Sequence, residues 1–182
     1  RRLRHRARIK FLVADWGVEK FRQVLQDEYL HRQLIDGPAP ATPERPIDHV
    51  GVHKQKDGLN YVGVAPPSGR VSGTTLVALA DAAERAGSGR VRLTPQQKVV
   101  VLDVPDAEVD ALKGALNTIG LQAEPSPWRR STMACTGIEF CKLAIVETKA
   151  RATALVSTLE ERFPDLDTPI TVNVNGCPNA CA

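Results

Sequence analysis

The stretch HVGVHKQKDGLNYVGV, residues 49–64, alternates with a period of two on either side of Lys56-Asp57-Gly58. Val50 and Val52 precede that tripeptide and Leu59, Tyr61 and Gly63 follow it, so the Asp-Gly pair marks a hairpin turn between two strands. Downstream, residues 72–86 read as an amphipathic helix closed by Gly87. Two β-rich runs follow, Val91 to Leu93 and Lys98 to Val104, and then a second helix from Asp106, its expected N-cap, to Thr118 near Gly120. The order ββαββα with short loops predicts an α+β layer: a mainly antiparallel sheet with helices on one face.

On the N-terminal side the pattern changes twice. Through about Leu34 the chain reads as helical, with Asp15 as N-cap and Val18, Phe21, Leu25 and Tyr29 at spacings of three and four. Pro38, Pro40, Pro43 and Pro46 then put four prolines into nine residues, which suits neither helix nor ladder and predicts an extended linker over 36–47. On the C-terminal side, Pro125-Ser126-Pro127 opens the last third. Glu139 to Phe163 has neither Pro nor Gly and reads as one long helix, Pro169 to Asn173 as a strand, and Gly176-Cys177-Pro178-Asn179 as a turn at its end.

Composition bounds the class. A chain of 182 residues, 42% hydrophobic and 25% charged, can bury a core; no apolar run approaches a membrane span and no signal peptide is visible, so a soluble cytoplasmic protein is expected. Net charge is only +3, yet Arg1, Arg2, Arg4, Arg6, Arg8 and Lys10 crowd the first ten residues and ask for an anionic partner. A nucleic-acid arm would bring aromatic platforms, and aromatics are 4% of the chain. Because the chain begins at Arg1 without a Met and stops one residue after its last cysteine, it is expected to be an internal piece of a longer protein.

All four cysteines lie in the last 48 residues, as C-x5-C (Cys135, Cys141) and C-x3-C (Cys177, Cys181), 35 residues apart. Disulfides would call for an exported, cysteine-rich small domain. A structural zinc site would more usually show C-x2-C or C-x4-C knuckles. A cubane iron–sulfur cluster needs one thiolate per iron, delivered from loops and helix ends with spare N–H donors, and the Gly/Pro/Asn turn and the expected helix start both offer these. His5, His31, His49 and His53 match no ligand spacing and read as surface or structural.

Two motifs add a specific resemblance. MACTGIEFCKLA (residues 133–144) with Glu147-Thr148, and NGCPNAC (175–181), resemble the two halves of the cluster signature of ferredoxin-dependent assimilatory sulfite and nitrite reductases. The resemblance covers essentially the whole chain. It implies a [4Fe–4S] cluster held by Cys135, Cys141, Cys177 and Cys181, with Cys181 shared with the iron of a sirohaem. It divides the chain into the end of a first sirohaem/cluster module (1–35), the linker, a second ferredoxin-like half-module (48–124), and the start of a second sirohaem/[4Fe–4S] α/β module (125–182).

Sirohaem is a polycarboxylate and its substrates are anions, so their site must supply cations. Ala7-Arg8-Ile9-Lys10-Phe11 resembles the family segment that places two basic side chains over the distal face of the sirohaem, which implies that Lys10 and Arg8 bind and polarise substrate. Two residues apart, they share a face only if the backbone there is extended. Arg92-Leu93-Thr94-Pro95-Gln96-Gln97 resembles the family's Arg-x-Thr-x-x-Gln segment, which implies that Arg92, Thr94 and Gln97 hold sirohaem carboxylates; Asn179 and Asn175 are candidates for the cluster edge. The implied function is six-electron reduction of sulfite to sulfide with reduced ferredoxin as donor and a small anion as substrate, in a protein monomeric when complete. Nitrite reduction to ammonia is the near alternative, and a non-catalytic electron-transfer module the remoter one.

Overall fold

In the computed structural model, residues 7–39, 41, 48–168 and 170–182 are described; Arg1, Arg2, Arg4, His5, Arg6, Pro40, Pro43, Pro46 and Pro169 lie outside them. The chain divides into two compact units, Arg1–Arg45 and Pro46–Ala182.

In the first unit, helix α1 (Ile9–Trp16) starts earlier than expected, with Arg8 as its N-cap, so Asp15 lies inside the helix rather than capping one. Gly17, at φ +80°, ends it by donating its N–H to the Val13 carbonyl, and α2 (Val18–Val24) restarts at once and runs into a π-helical turn, Leu25–Leu30. A left-handed residue between two helical runs is a glycine's place. Arg22 ties down the end of this unit, donating to Asp36 Oδ1 and to the Leu34 carbonyl at 2.5 Å each.

The second unit carries the sheet, β1 (Gly51–Lys54), β2 (Asn60–Val64), β3 (Val91–Leu93) and β4 (Val99–Val104), in the antiparallel order β1-β2-β4-β3. The expected hairpin is there. The buried set on β2 is Val62 and Val64, however, while Tyr61 and Gly63 turn to the other face. Val99, Val101 and Val104 of β4 join Val62 and Val64 on one face against α3 (Gly73–Arg85), through Leu79, Ala82 and Ala83, and α4 (Val109–Thr118), through Leu112 and Leu116. Helices on one face of an antiparallel sheet is the predicted layer. Between Asn60↔Val104 and Val62↔Val101, β4 spends three steps where β2 spends two, and this bulge at the left-handed Asp103 is what lets Val104 point inward as well.

Ser72 caps α3, its Oγ accepting the Thr75 N–H at 3.0 Å. Asp106 does not cap α4: it opens a 3-10 turn, and its carboxylate accepts from Asn60 and Lys54 instead. Beyond the sheet come α5 (Pro127–Ser131), β5 (Thr132–Ala134), α6 (Lys149–Arg162) and β6 (Val172–Val174), with β5 and β6 paired in parallel. The long helix expected from Glu139 therefore starts ten residues late. Absence of Pro and Gly permits a helix without requiring one. Here the backbone bonds of 138–146 are taken by the loop itself and by Gly176, and the Glu147 carboxylate starts the helix by accepting the N–H groups of Lys149, Ala150 and Arg151. No helix among the described residues is long and apolar enough to cross a membrane.

Candidate metal centre

The two cysteine motifs meet because β5 and β6 are parallel. Ala134 pairs with Val174, so both strands end at one level and the motif halves leave side by side. Cys135 donates its N–H to the Val174 carbonyl at 3.0 Å, and Gly176 donates its N–H back to Cys135 Sγ at 3.3 Å. The loop after Cys135 closes on itself and on the second motif: Cys141 N–H to Gly137 O, Ile138 N–H to Val146 O and Ile145 N–H to Gly176 O, each 3.0 Å.

Thr148 is the fully buried pin at the centre. Its Oγ1 donates to the Cys135 carbonyl at 2.6 Å and lies 3.8 Å from Cys135 Sγ. A Cβ on Gly137, at φ +70°, would come within 2.8 Å of that Oγ1; one on Gly176 would meet Ala144 Cβ at 3.0 Å and Thr148 Cγ2 at 3.3 Å. Gly137 is thus required, by its positive φ and by the Thr148 backbone nitrogen at 2.9 Å, whereas Gly176 sits in a tight fit against side chains.

Burial pushes the Cys135 thiol up, but N–H donation from Gly176 and Gly137, the Thr148 hydroxyl and the nearby Lys149 charge outweigh it and hold the thiol below its ordinary value. A thiolate so stabilised has the chemistry a metal ligand needs. All four cysteines are free, Cys135, Cys141 and Cys177 half-buried and Cys181 exposed. Among the described residues no three His, Cys, Asp or Glu stand so as to hold a single metal ion. A cubane spreads its ligands over separate irons, and the donor set of four free thiols with backbone N–H groups aimed at sulfur suits it.

Comparison with known proteins follows the same line. Residues 53–119 match the family model of the nitrite/sulfite reductase ferredoxin-like half domain. The whole chain is 62% identical to the sulfite reductase [ferredoxin] of Mycobacterium tuberculosis, covering 34% of that protein. The chain carries a ferredoxin-like half domain of the nitrite/sulfite reductase type. It is 39% identical, over 98% of its length, to the ferredoxin–nitrite reductase of Synechococcus elongatus, covering 35% of that protein. The solved structure of Mycobacterium tuberculosis NirA protein superimposes on all of it with a TM-score of 0.93 at 62% identity, over 34% of that chain. The chain thus spans about a third of the length of the relatives it matches.

The remaining candidates fall in different places. Arg92 is exposed on β3 opposite Val100, on the sheet face turned away from α3 and α4. Thr94 lies in the β3–β4 turn, its Oγ1 accepting the Lys98 N–H at 3.2 Å. Gln97 is committed elsewhere: its Nε2 donates to the Ala134 carbonyl at 2.7 Å and its Oε1 accepts from Ala134 N–H at 3.3 Å and Lys149 Nζ at 3.1 Å. Asn175 Oδ1 accepts the Ala182 N–H at 2.9 Å, closing the turn that carries Cys177 and Cys181. Arg8 and Lys10 belong to the other unit. Arg8 is extended and Lys10 is helical, so the extended backbone on which a shared face depends is present only at Arg8; Lys10 Nζ sits 5.1 Å from the Phe11 ring centroid. His49 and His53 flank Tyr61, the latter stacked at 4.7 Å, as structural residues do.

Thr148 and Lys149 went unassigned in the sequence reading. The Glu147-Thr148 pair was visible in the motif, but the role of Thr148 depends on the approach of Cys135, 13 positions earlier. Lys98 was missed too. Only 1% exposed, it lies just ahead of β4 near Asp48 and Arg130, which pair with each other at 2.5 and 2.8 Å. Burial pushes its ammonium from 10.5 down to about 8, against the pull of Asp48 and with the push of Arg130 and Lys149. Between those two values the unfolded chain holds more protons than the folded one, so the cost of burying the charge is full below about 8 and relieved as pH rises toward 10.5. Lys98→Met is therefore expected to stabilise the complete protein at pH 7 by up to about 3 kcal/mol, with the gain shrinking above pH 8. Thermal midpoints at pH 7 and 10 check it, and a variant no more stable than the parent at pH 7 contradicts it.

Proposed function

We propose that the protein containing this chain reduces sulfite to sulfide with six electrons from reduced ferredoxin, and that Cys135, Cys141, Cys177 and Cys181 hold its [4Fe–4S] cluster. The observation that carries the reading is the parallel β5–β6 pair, which brings the two cysteine motifs together and aims the Gly176 N–H at Cys135 Sγ. When bound, the cluster and sirohaem would supply electron storage and a substrate-binding iron, and Cys181 would be the residue that serves both. The chain's own residues hold the thiolates, exclude water behind Thr148 and present charge. Arg92 and Thr94, on the open side of the half-domain, are assigned to sirohaem carboxylates, and Asn179 to the cluster edge. Gln97 serves the same region indirectly, by fixing the turn against β5. The roles of Lys10 and Arg8 toward the substrate anion rest on their segment's resemblance alone. The protein is taken to act as a cytoplasmic monomer.

Sulfite is preferred over nitrite because the sulfite reductases are 61–62% identical to this chain and the nitrite reductases 35–40%. The test is steady-state turnover of both anions by the complete, anaerobically purified protein with reduced ferredoxin. A higher kcat/KM for sulfite is expected, and a preference for nitrite would overturn the substrate assignment. A complete protein with cluster absorption and no sirohaem bands would instead be an electron-transfer module.

A further inference from the structure

Lys149, the first residue of α6, spends all three ammonium protons on neutral carbonyl oxygens: Ser68 O at 2.6 Å, Ala134 O at 2.7 Å and Gln97 Oε1 at 3.1 Å. Lys149 is half-buried, and none of these three acceptors is a carboxylate. Two of its acceptors come from residues in left-handed backbone, Ser68 at φ +48° and Gln97 at φ +59°. Such conformations persist in non-glycine residues only where surroundings impose them. Gly69 supplies part of the imposition, since a Cβ there would stand 2.6 Å from both Cβ and Oε1 of Gln97. The Gln97 amide in turn grips Ala134 through both its N–H and its carbonyl, as a paired strand would. The half-domain, β5 and α6 therefore converge on one cation, a single peptide unit before Cys135.

We propose that Lys149, held by Ser68 and Gln97, is a positioning residue that sets the reduction potential of the cluster bound at Cys135. The proposal rests on the cluster reading above. A one-electron reduction makes the cluster more negative and leaves its bonds intact, so a fixed neighbouring cation without a counter-anion among its hydrogen-bond partners favours the reduced form.

The test is an anaerobic potentiometric titration of the complete protein, with dithionite as electron donor and redox mediators, read by the electron paramagnetic resonance of the reduced cluster. Lys149→Met removes the charge and keeps much of the length; Lys149→Arg keeps the charge. In Lys149→Met the reduced-to-oxidised ratio at a fixed potential is expected to fall about tenfold, equivalent to about 59 mV downward for one electron, with iron and sulfide content retained. Lys149→Arg should keep the parent potential. If Lys149→Met fails to retain its cluster while Lys149→Arg retains it at the parent potential, the requirement for the charge stands. An unchanged potential in a fully loaded Lys149→Met protein overturns the proposal, as does equal cluster loss from both variants, which would make Lys149 a packing residue only. Absence of iron and sulfide from the unsubstituted protein would instead remove the cluster reading, and the tuning with it.

Discussion

Replacing Cys135 by Ser in the complete protein is expected to abolish the cluster: iron and acid-labile sulfide should fall to background and turnover by more than about 100-fold. The reasoning starts at the sulfur. Cys135 Sγ takes the N–H of Gly176 at 3.3 Å, is favoured as thiolate by Gly137, Thr148 and Lys149, and is carried by the strand that Val174 pairs. A serine hydroxyl stays protonated at any accessible pH and is a hard, poor donor to iron. The fold should survive, because the β5–β6 register, Thr148 and the helix start do not depend on the sulfur. Far-ultraviolet circular dichroism therefore ought to match the parent while the visible absorption disappears. A serine variant that keeps its full iron and sulfide would remove Cys135 from the ligand set. Stoichiometric zinc and no iron in the parent would replace the cluster with the structural zinc site that the cysteine spacing also admits.

What could be read in the sequence was what short-range chemistry decides. The hairpin at Asp57-Gly58, the stop at Gly87 and the ββαββα order each depend on a few adjacent residues, and each is present. The cysteine pairs were legible as a candidate metal site for the same reason. Three things were not, because their causes are distant. Residues 139–148 have helical composition, yet their hydrogen bonds go to the loop itself and to Gly176, so tertiary pairing overrides propensity. The face of β2 was ambiguous since Tyr61 and Gly63 alternate as well as Val62 and Val64 do. The helices α3 and α4 decide it, and the bulge at Asp103 then shifts the register of β4. Gln97 reads as a polar residue at a strand end, and only the approach of Ala134 and Lys149 shows that it joins the half-domain to the strand before Cys135.

Gly63→Ala is expected to be the most damaging single methyl in the chain. Gly63 sits mid-strand in β2, paired with Gly51 on one side and Val100 on the other, and its φ is not in the left-handed region. The requirement is therefore space, not conformation. A Cβ built there would lie 1.6 Å from the His49 carbonyl oxygen and 2.6 Å from its carbon, with Val50 Cα at 3.1 Å. These are backbone atoms, and no rotamer change can relieve them. To admit the methyl, the chain entering β1 must lift off the sheet, which exposes Val50, now 2% accessible, and loosens the Asp48–Arg130 pair beside it. The cost should be at least about 3 kcal/mol, at the top of the range for overpacking. Gly114→Ala makes the same chemical change where nothing lies within 4 Å, on the exposed side of α4, and should stabilise by about 0.5–1 kcal/mol through helix propensity alone. Thermal midpoints should therefore move in opposite directions, with amide exchange at Val52 and Lys54 accelerated only in Gly63→Ala. If both variants melt like the parent, His49 and Val50 do not lie across β2, and the non-helical face of the sheet has to be redrawn.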